Sequence, residues 1–408
     1  VQGESHLANS NTEIRLEILA MTFSEQFDRF HTLATEATGL NDFGPDNYRE
    51  PMRRYLADVD KYGEFGDVGQ GIVTGTMVGL LCGRLITRKG LKEFPESRNI
   101  PIRKPIFVIG LTRSGTTVLH RLITHDPNVQ HLPFWLANTP MPRPPREDWP
   151  SNLFYQQTKA ALDGLAATMP GVLEIHPMAA DKADECRYLM DQTFWSNTFC
   201  TTANVPEYQD WQANCDSGFA YEYYRQALQL IANGDPRRWV LKDPAHLFGL
   251  DGIFKIFPDA CIVHTHRDPF DAMASTVNLT YLIRKMREPS LTLAEVARQV
   301  TNLWGLGLHK MEQARRKYDP SRFIDLHMLE VRRDPLDCLK RIYDHFDQPI
   351  TIETRQAWEQ QLKIDPNQSH ASSEFDINEC GLDRDQVTAS VGSYQERYQN
   401  VLAQAELT

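Results

Sequence analysis

Between Pro105 and Ile123 an apolar run passes through a loop with two glycines into a helix, and this passage restricts the fold more than any other. Pro105-Ile106-Phe107-Val108-Ile109-Gly110 is short, continuous and bounded by breakers, as expected of a buried parallel strand. Gly110-Leu111-Thr112-Arg113-Ser114-Gly115-Thr116-Thr117 follows, and Ser114 to Ile123 reads as a helix with a polar, flexible entry. Successive amides of such a loop, with the unpaired amides of the helix start, form a concave donor site for a phosphate. Gly110 and Gly115 permit the tight path, Thr116 and Thr117 add hydroxyl donors, and Ser114 is placed to contact the same anion. A nucleoside-triphosphate loop reads G-x-x-x-x-G-K followed by Ser or Thr. Here Thr116 stands at the lysine position and Arg113 supplies charge from inside the loop. That departure disfavours a kinase or ATPase and favours a single phosphate at this point. A dinucleotide G-x-G-x-x-G pattern is absent.

Further short strands are expected at Arg238–Leu241 and Ala260–His266, with another at Arg322–Leu326, each ahead of a segment able to form a loop and helix. This alternation predicts an α/β fold: a P-loop-type parallel sheet flanked by helices. Residues 1–100 read instead as a helical annex, with Ile14, Ile18, Phe23, Phe27 and Phe30 at helical spacing, and residues 101–408 as the α/β domain. Gly71, Gly75, Gly79 and Gly83 recur every fourth residue and predict a smooth face for close helix packing. A chain of 408 residues, 41% hydrophobic and 24% charged, is an ordinary globular composition that excludes disorder and fibrous repeats.

The net charge of −11 argues against a nucleic-acid partner. It leaves room for an anionic ligand held by a local nest of amides and a few bases. Seven scattered cysteines without CxxC spacing suggest reduced thiols rather than a zinc site or disulfide framework. The longest uncharged run, Val68–Gly83, is sixteen residues, short of the roughly 20 a spanning helix needs. No stable membrane insertion is expected. Nothing resembles a signal peptide, so a cytoplasmic location is expected.

The loop string from Pro105 to Thr117 resembles the 5′-phosphosulfate loop of sulfotransferases that use 3′-phosphoadenosine 5′-phosphosulfate (PAPS). Cys261-Ile262-Val263-His264-Thr265-His266-Arg267-Asp268-Pro269, continuing through Asp271 to Ser275, is similar to the family's strand, loop and helix that hold the 3′-phosphate. Val240-Leu241-Lys242-Asp243-Pro244-Ala245-His246 resembles its L-K-x-P-x-H segment, and Asp334-Pro335 with the following helix its late D-P element. Glu174-Ile175-His176-Pro177 with Asp184-Glu185-Cys186 resembles a bacterial branch that carries an N-terminal helical extension. The resemblance covers roughly residues 75–400.

It implies an enzyme that moves a sulfuryl group from PAPS to a hydroxyl or amine and releases 3′-phosphoadenosine 5′-phosphate (PAP), with no metal. Arg113, Ser114, Gly115, Thr116 and Thr117 would hold the phosphosulfate, and Arg267 and Ser275, eight apart, the 3′-phosphate. An arginine fork suits a phosphate better than a lysine. Arg113 and Lys242 would stabilise charge in the in-line displacement, although Lys242 also fits a solvent-exposed lysine before a turn. The branch often carries a W-E pair whose glutamate suits a base; here the pair is Trp135-Leu136. His246, His176 and Glu174 are the substitute candidates, since a histidine near pKa 6.5 serves at neutral pH. His370-Ala371-Ser372-Ser373 departs from the family's H-x-Y-S.

The aromatic stretch from Phe194 to Tyr224 fits either core or an apolar acceptor pocket. An apolar or amphipathic small molecule or lipid is the expected acceptor, and a homo-oligomer is left open. A small-molecule kinase using ATP, or a catalytically impaired nucleotide-binding protein, are the rival readings.

Overall fold

The structure is a computed structural model that describes residues 21–168, 177–365 and 380–407. Five parallel strands form its sheet: β1 (Ile106–Gly110), β2 (Val129–Gln130), β3 (Arg238–Lys242), β4 (Cys261–His266) and β5 (Phe323–His327), in the order β2-β3-β1-β4-β5. Four of them lie within one residue of the expected positions. The fifth, β2, is two residues long and carries no periodic signal.

β1 is central and wholly buried, pairing Ile106 with both Val240 and Cys261. Its alternation sends Ile106 and Val108 to a cluster with Leu119, Leu122 and Leu339, and Phe107 and Ile109 to a larger cluster on the opposite face. After β1 the chain builds β2 and β3 on one side, then crosses to β4 and β5 on the other. The crevice at the carboxyl end of β1 is therefore the topological switch point, where open parallel sheets take ligands.

Among the described residues three α-helices precede the sheet: α1 (Phe27–Thr38), α2 (Arg49–Tyr62) and α3 (Asp67–Glu93). Within and beyond the sheet follow, among others, α4 (Thr116–Ile123), α5 (Gly218–Ala232), α6 (Pro269–Lys285), α7 (Leu293–Arg315), α8 (Met328–Arg333) and α9 (Tyr394–Leu407). Phe30 of α1, Met52 of α2 and Met77 and Leu81 of α3 belong to the same apolar cluster as Phe107 and Tyr224. Arg84 of α3 fastens this union. Its guanidinium is 1% exposed and donates to the carbonyls of Phe43, Pro45 and Gln192 at 2.6, 3.1 and 3.1 Å. It lies over the rings of Tyr48 and Tyr223.

The glycine stripe of α3 behaves differently from expectation. A methyl group added at Gly71, Gly75 or Gly79 would meet nothing within 4 Å, whereas Gly83 and Gly90 sit against Gln192 and Leu230. Most of the stripe faces open space because the opposite face, carrying Val73, Met77, Leu81 and Leu85, is the one drawn into the core. The helix also extends well past the uncharged run, to 27 residues. By length and composition it is the one described helix able to cross a membrane, and 39% of its most apolar window is buried inside the fold.

Glycine is required where the loop leaves β1. Gly110 has φ +150°, and a β-carbon there would lie 2.5 Å from the Thr265 carbonyl oxygen and 2.7 Å from Ser114 Oγ. Gly110→Ala should cost about 1–3 kcal/mol, because backbone on β4 cannot move aside. Gly75→Ala should instead stabilise by about 0.5–1 kcal/mol, as an unobstructed helical glycine. Denaturant unfolding of both variants checks this, and a Gly110→Ala protein as stable as Gly75→Ala would refute the packing argument.

Candidate active site

The strand ends open into a cleft of about 1260 Å³. Thr112, Arg113, Gly115, Thr116, Thr117 and Arg267 supply much of its polar lining. Val73, Leu80 and Ile86 of α3, Leu279 and Ile283 of α6, and Tyr55 of α2 supply apolar lining.

The loop is built as the sequence suggests. Gly115 turns at φ +90° into α4, and no side chain caps that helix, so its first amides keep their donor capacity for a ligand. Arg113 itself adopts a left-handed conformation, φ +66°. This aims its side chain out of the loop, and Nε donates to Ser275 Oγ at 3.1 Å. Arg267 Nη1 in turn donates to the Arg113 carbonyl at 3.1 Å, and Thr112 and Thr276 hydroxyls meet at 2.5 Å. The two motifs, more than 150 residues apart in sequence, are in direct contact. Burial first, then the charge of Arg267 and Arg332, lowers the pKa of Arg113 from its ordinary value. Burial likewise leads the lowering at Arg267. Cations pressed together at a cleft wall mark a place that gains by receiving an anion.

Ser114 is placed elsewhere than expected. Its hydroxyl is fully buried, 2.7 Å from the Leu111 carbonyl and 2.8 Å from Thr265 Oγ1, and it does not line the cleft. It braces the loop from beneath because the tight turn at Gly110 points it inward.

Lys242 is 2% exposed, not a surface lysine. From the end of β3, Nζ donates to Glu185 Oε1 at 2.7 Å and to Thr117 Oγ1 at 3.1 Å. Glu185 and Thr117 both line the cleft, and Glu185 Oε2 accepts from Arg187 Nε at 3.2 Å. Glu185 is the site carboxylate that sequence reasoning passed over, although it belongs to the Asp184-Glu185-Cys186 pattern. Nothing in the sequence places that segment against the end of β3. The link is made by the Cys186 amide bonding the Lys242 carbonyl at 2.9 Å.

Asp243 also faces the cleft. One oxygen accepts from the Ala245 amide at 2.9 Å, while Oδ2 is buried with no partner among the described residues. Burial, then the charge of Glu185, pushes its pKa well above the usual carboxylate range.

His246 is withdrawn from the cleft. It is 1% exposed, Nδ1 hydrogen-bonds the Tyr221 hydroxyl at 2.8 Å, and its ring stands edge-on to Phe107. Asp243, Pro244 and Ala245 line the cleft but His246 does not, and burial pushes its pKa down to about 3. It is a core histidine because the short 3-10 turn at Pro244–Phe248 rotates it inward beneath the sheet. Glu174 and His176 lie outside the described residues, as do His370 and Ser372. Leu136 is fully buried and faces the core, so the position where a glutamate was sought does not reach the cleft. Of the aromatic stretch, Phe199 reaches the cleft, whereas Phe194, Tyr208, Tyr221 and Tyr224 are core.

Asp243 gives a pH signature. Its folded pKa is raised, so between the ordinary carboxylate value and the raised one the native state holds a proton that the unfolded chain has lost. Stability then falls as pH rises through that window. Asp243→Asn keeps the bond to Ala245 and removes the titration, so its gain in melting temperature should be larger at pH 8 than at pH 4.5. A gain independent of pH would contradict the assignment.

Comparison with known proteins follows the same lines. The model of the sulfotransferase family matches residues 105–352. The crystal structure of sulfotransferase STF1 from Mycobacterium tuberculosis H37Rv aligns with a TM-score of 0.84 and 34% identity, covering 91% of this chain and 100% of that one. STF9 from Mycobacterium avium aligns at 0.82 with 26% identity, over 93% and 97% of the two chains. The omega-hydroxy-beta-dihydromenaquinone-9 sulfotransferase Stf3 of Mycobacterium bovis is 24% identical over 262 residues, 59% of this chain and 62% of its own length. The chain thus matches less than two thirds of that relative. A glycine loop braced by Ser114, an arginine from the end of β4 laid across it, and these likenesses lead to one assignment: the chain belongs to the sulfotransferase family.

Proposed function

We propose that the protein is a PAPS-dependent sulfotransferase acting on a hydroxyl of an amphipathic or lipid-like molecule. The observation that carries this reading is the contact between the two motifs, Arg113 with Ser275 and Arg267 with the loop backbone, at a cleft that α3 and α6 line in part with apolar side chains. The residues suit the donor. Loop amides with Thr116 and Thr117 would hold the phosphosulfate, and Arg267 with Ser275, joined by Arg113, the 3′-phosphate. The donor supplies the sulfuryl group. A lipid-like acceptor is supported by the apolar walls of α3 and α6 and by the lipid-quinone substrate named for the Stf3 relative. The α/β unit from about residue 101 carries the chemistry, the helices before it shape the acceptor side, and a cytoplasmic location completes the reading.

Glu185 is the proposed proton acceptor in place of the histidines. It faces the cleft beside Thr117, and Lys242 and Arg187 orient both its oxygens. A positioned carboxylate takes the hydroxyl proton as the acceptor oxygen becomes nucleophilic. Lys242, held between Glu185 and Thr117, is close enough to the loop to offset negative charge that develops there.

The test is calorimetric titration with PAP beside ATP–Mg²⁺, followed by turnover of PAPS with long-chain alcohols. PAP should bind in preference to ATP–Mg²⁺, and Arg267→Ala should lose about 2–5 kcal/mol of that binding. Glu185→Gln should retain PAP affinity and lose roughly 10²–10⁴ in turnover. ATP–Mg²⁺ turnover would favour a kinase instead. PAP binding without turnover of any acceptor would leave a nucleotide-binding protein.

A further inference from the structure

Arg332 belongs to neither phosphate motif. It projects from α8, the short helix that follows β5, and lines the cleft together with Met328 and Val331 of the same helix. Among the described residues it makes no hydrogen bond or ion pair, although a carboxylate sits two residues away. That carboxylate, Glu330, is committed elsewhere: one oxygen accepts from Arg341 Nη1 and the other from the His327 amide, each within 2.8 Å. Arg332 lines the same cleft as Arg113 and Arg267, and its charge contributes to the lowered pKa of both, after the larger effect of their burial. Three arginines thus line one cleft from three separate elements, the loop after β1, the end of β4 and the helix after β5. Like charges gathered at one cleft repel, and an anion bound among them relieves that repulsion. A phosphate dianion is the ligand that turns such a cluster into charge-assisted hydrogen bonds.

Which phosphate is decided by where Arg113 points. Its side chain leaves the loop and reaches Ser275 on α6, so the guanidiniums gather on the Arg267–Ser275 side rather than over the amides of α4. We propose that Arg332 is a further donor-binding residue, the third guanidinium around the 3′-phosphate of the nucleotide. This rests on the donor reading above and adds to it the element β5–α8 as part of the nucleotide site. It also explains why α8 is short and stops at Asp334-Pro335. The helix ends at Arg333, capped by Asp334 ahead of Pro335, and so keeps Arg332 in its last turn, beside the cleft.

The experiment compares PAP with adenosine 5′-phosphate, which lacks the 3′-phosphate, by calorimetry on the full chain. Arg332→Gln should weaken PAP by roughly 10- to 100-fold, the loss of one bond to a charged group, and leave adenosine 5′-phosphate unchanged. Lys340→Gln, an exposed lysine on the following helix, makes the same change in net charge and should alter neither. Arg332 is exposed, and an unchanged unfolding midpoint confirms an intact fold. Equal losses on both nucleotides would overturn the proposal by moving Arg332 to the 5′ side, and undiminished PAP binding would remove it from the site. Wild-type protein that fails to bind PAP would refute the donor reading itself, an outcome separable from either of these.

Discussion

Everything at the cleft rests on one hydroxyl pair beneath it, Ser114 Oγ and Thr265 Oγ1, 2.8 Å apart. Ser114 reaches back to the Leu111 carbonyl and Thr265 to the Ile109 carbonyl, so the loop is stitched both to itself and to the neighbouring strand. Gly110 leaves the space in which this occurs. The stitch fixes the end of β4 against the loop, and Arg267 stands two residues beyond Thr265. The spacing between the loop after β1 and Arg267 is thereby set by buried, satisfied hydrogen bonds rather than by mobile surface side chains.

A second network supports β4 from the other side. His266 sits between Asp325 of β5 and Tyr394 of α9, at 2.8 and 3.0 Å, and Arg315 holds both oxygens of Asp325. The carboxylate is kept far below its usual pKa by its hydrogen bond and charge pairing with His266 and Arg315, which outweigh burial. This network ties the final helix to the strand whose next residue is Arg267. The C-terminal element therefore contributes to site geometry without lining the cleft.

Much of this was legible in the sequence because it is local. A strand, a glycine loop and a helix are contiguous, and so are β4, Arg267 and Ser275; four strands could be read from the residue pattern, and the pairing of the two motifs followed from the family resemblance. What could not be read is what the topology assembles from far apart. Glu185 reaches Lys242 from 57 residues upstream through a bond between backbones. His246 resembles a site residue by its neighbours, yet a single 3-10 turn rotates it into the core. Ser114 is in the motif but points under it. The apolar part of the cleft is the least local feature: Gly79 and Gly83 of α3, read as packing surface, line it with Val73, Leu80 and Ile86, while most of the aromatic run fills the interior. Helical periodicity tells which residues share a face, not what that face meets.

Arg84 has a consequence for the order in which the chain is made. Its guanidinium is satisfied partly by Phe43 and Pro45, which precede it, and partly by the Gln192 carbonyl, 108 residues later. The ribosome adds about 5–20 residues each second, so α1 to α3 wait on the order of 5–20 s for that partner to emerge. Through that interval the helix carrying Val73, Met77, Leu81 and Leu85 has α1 beside it but lacks α5, the later helix it also packs against. The nascent annex is thus the stretch where a chaperone has most to protect, and a slowly translated message would lengthen that exposure.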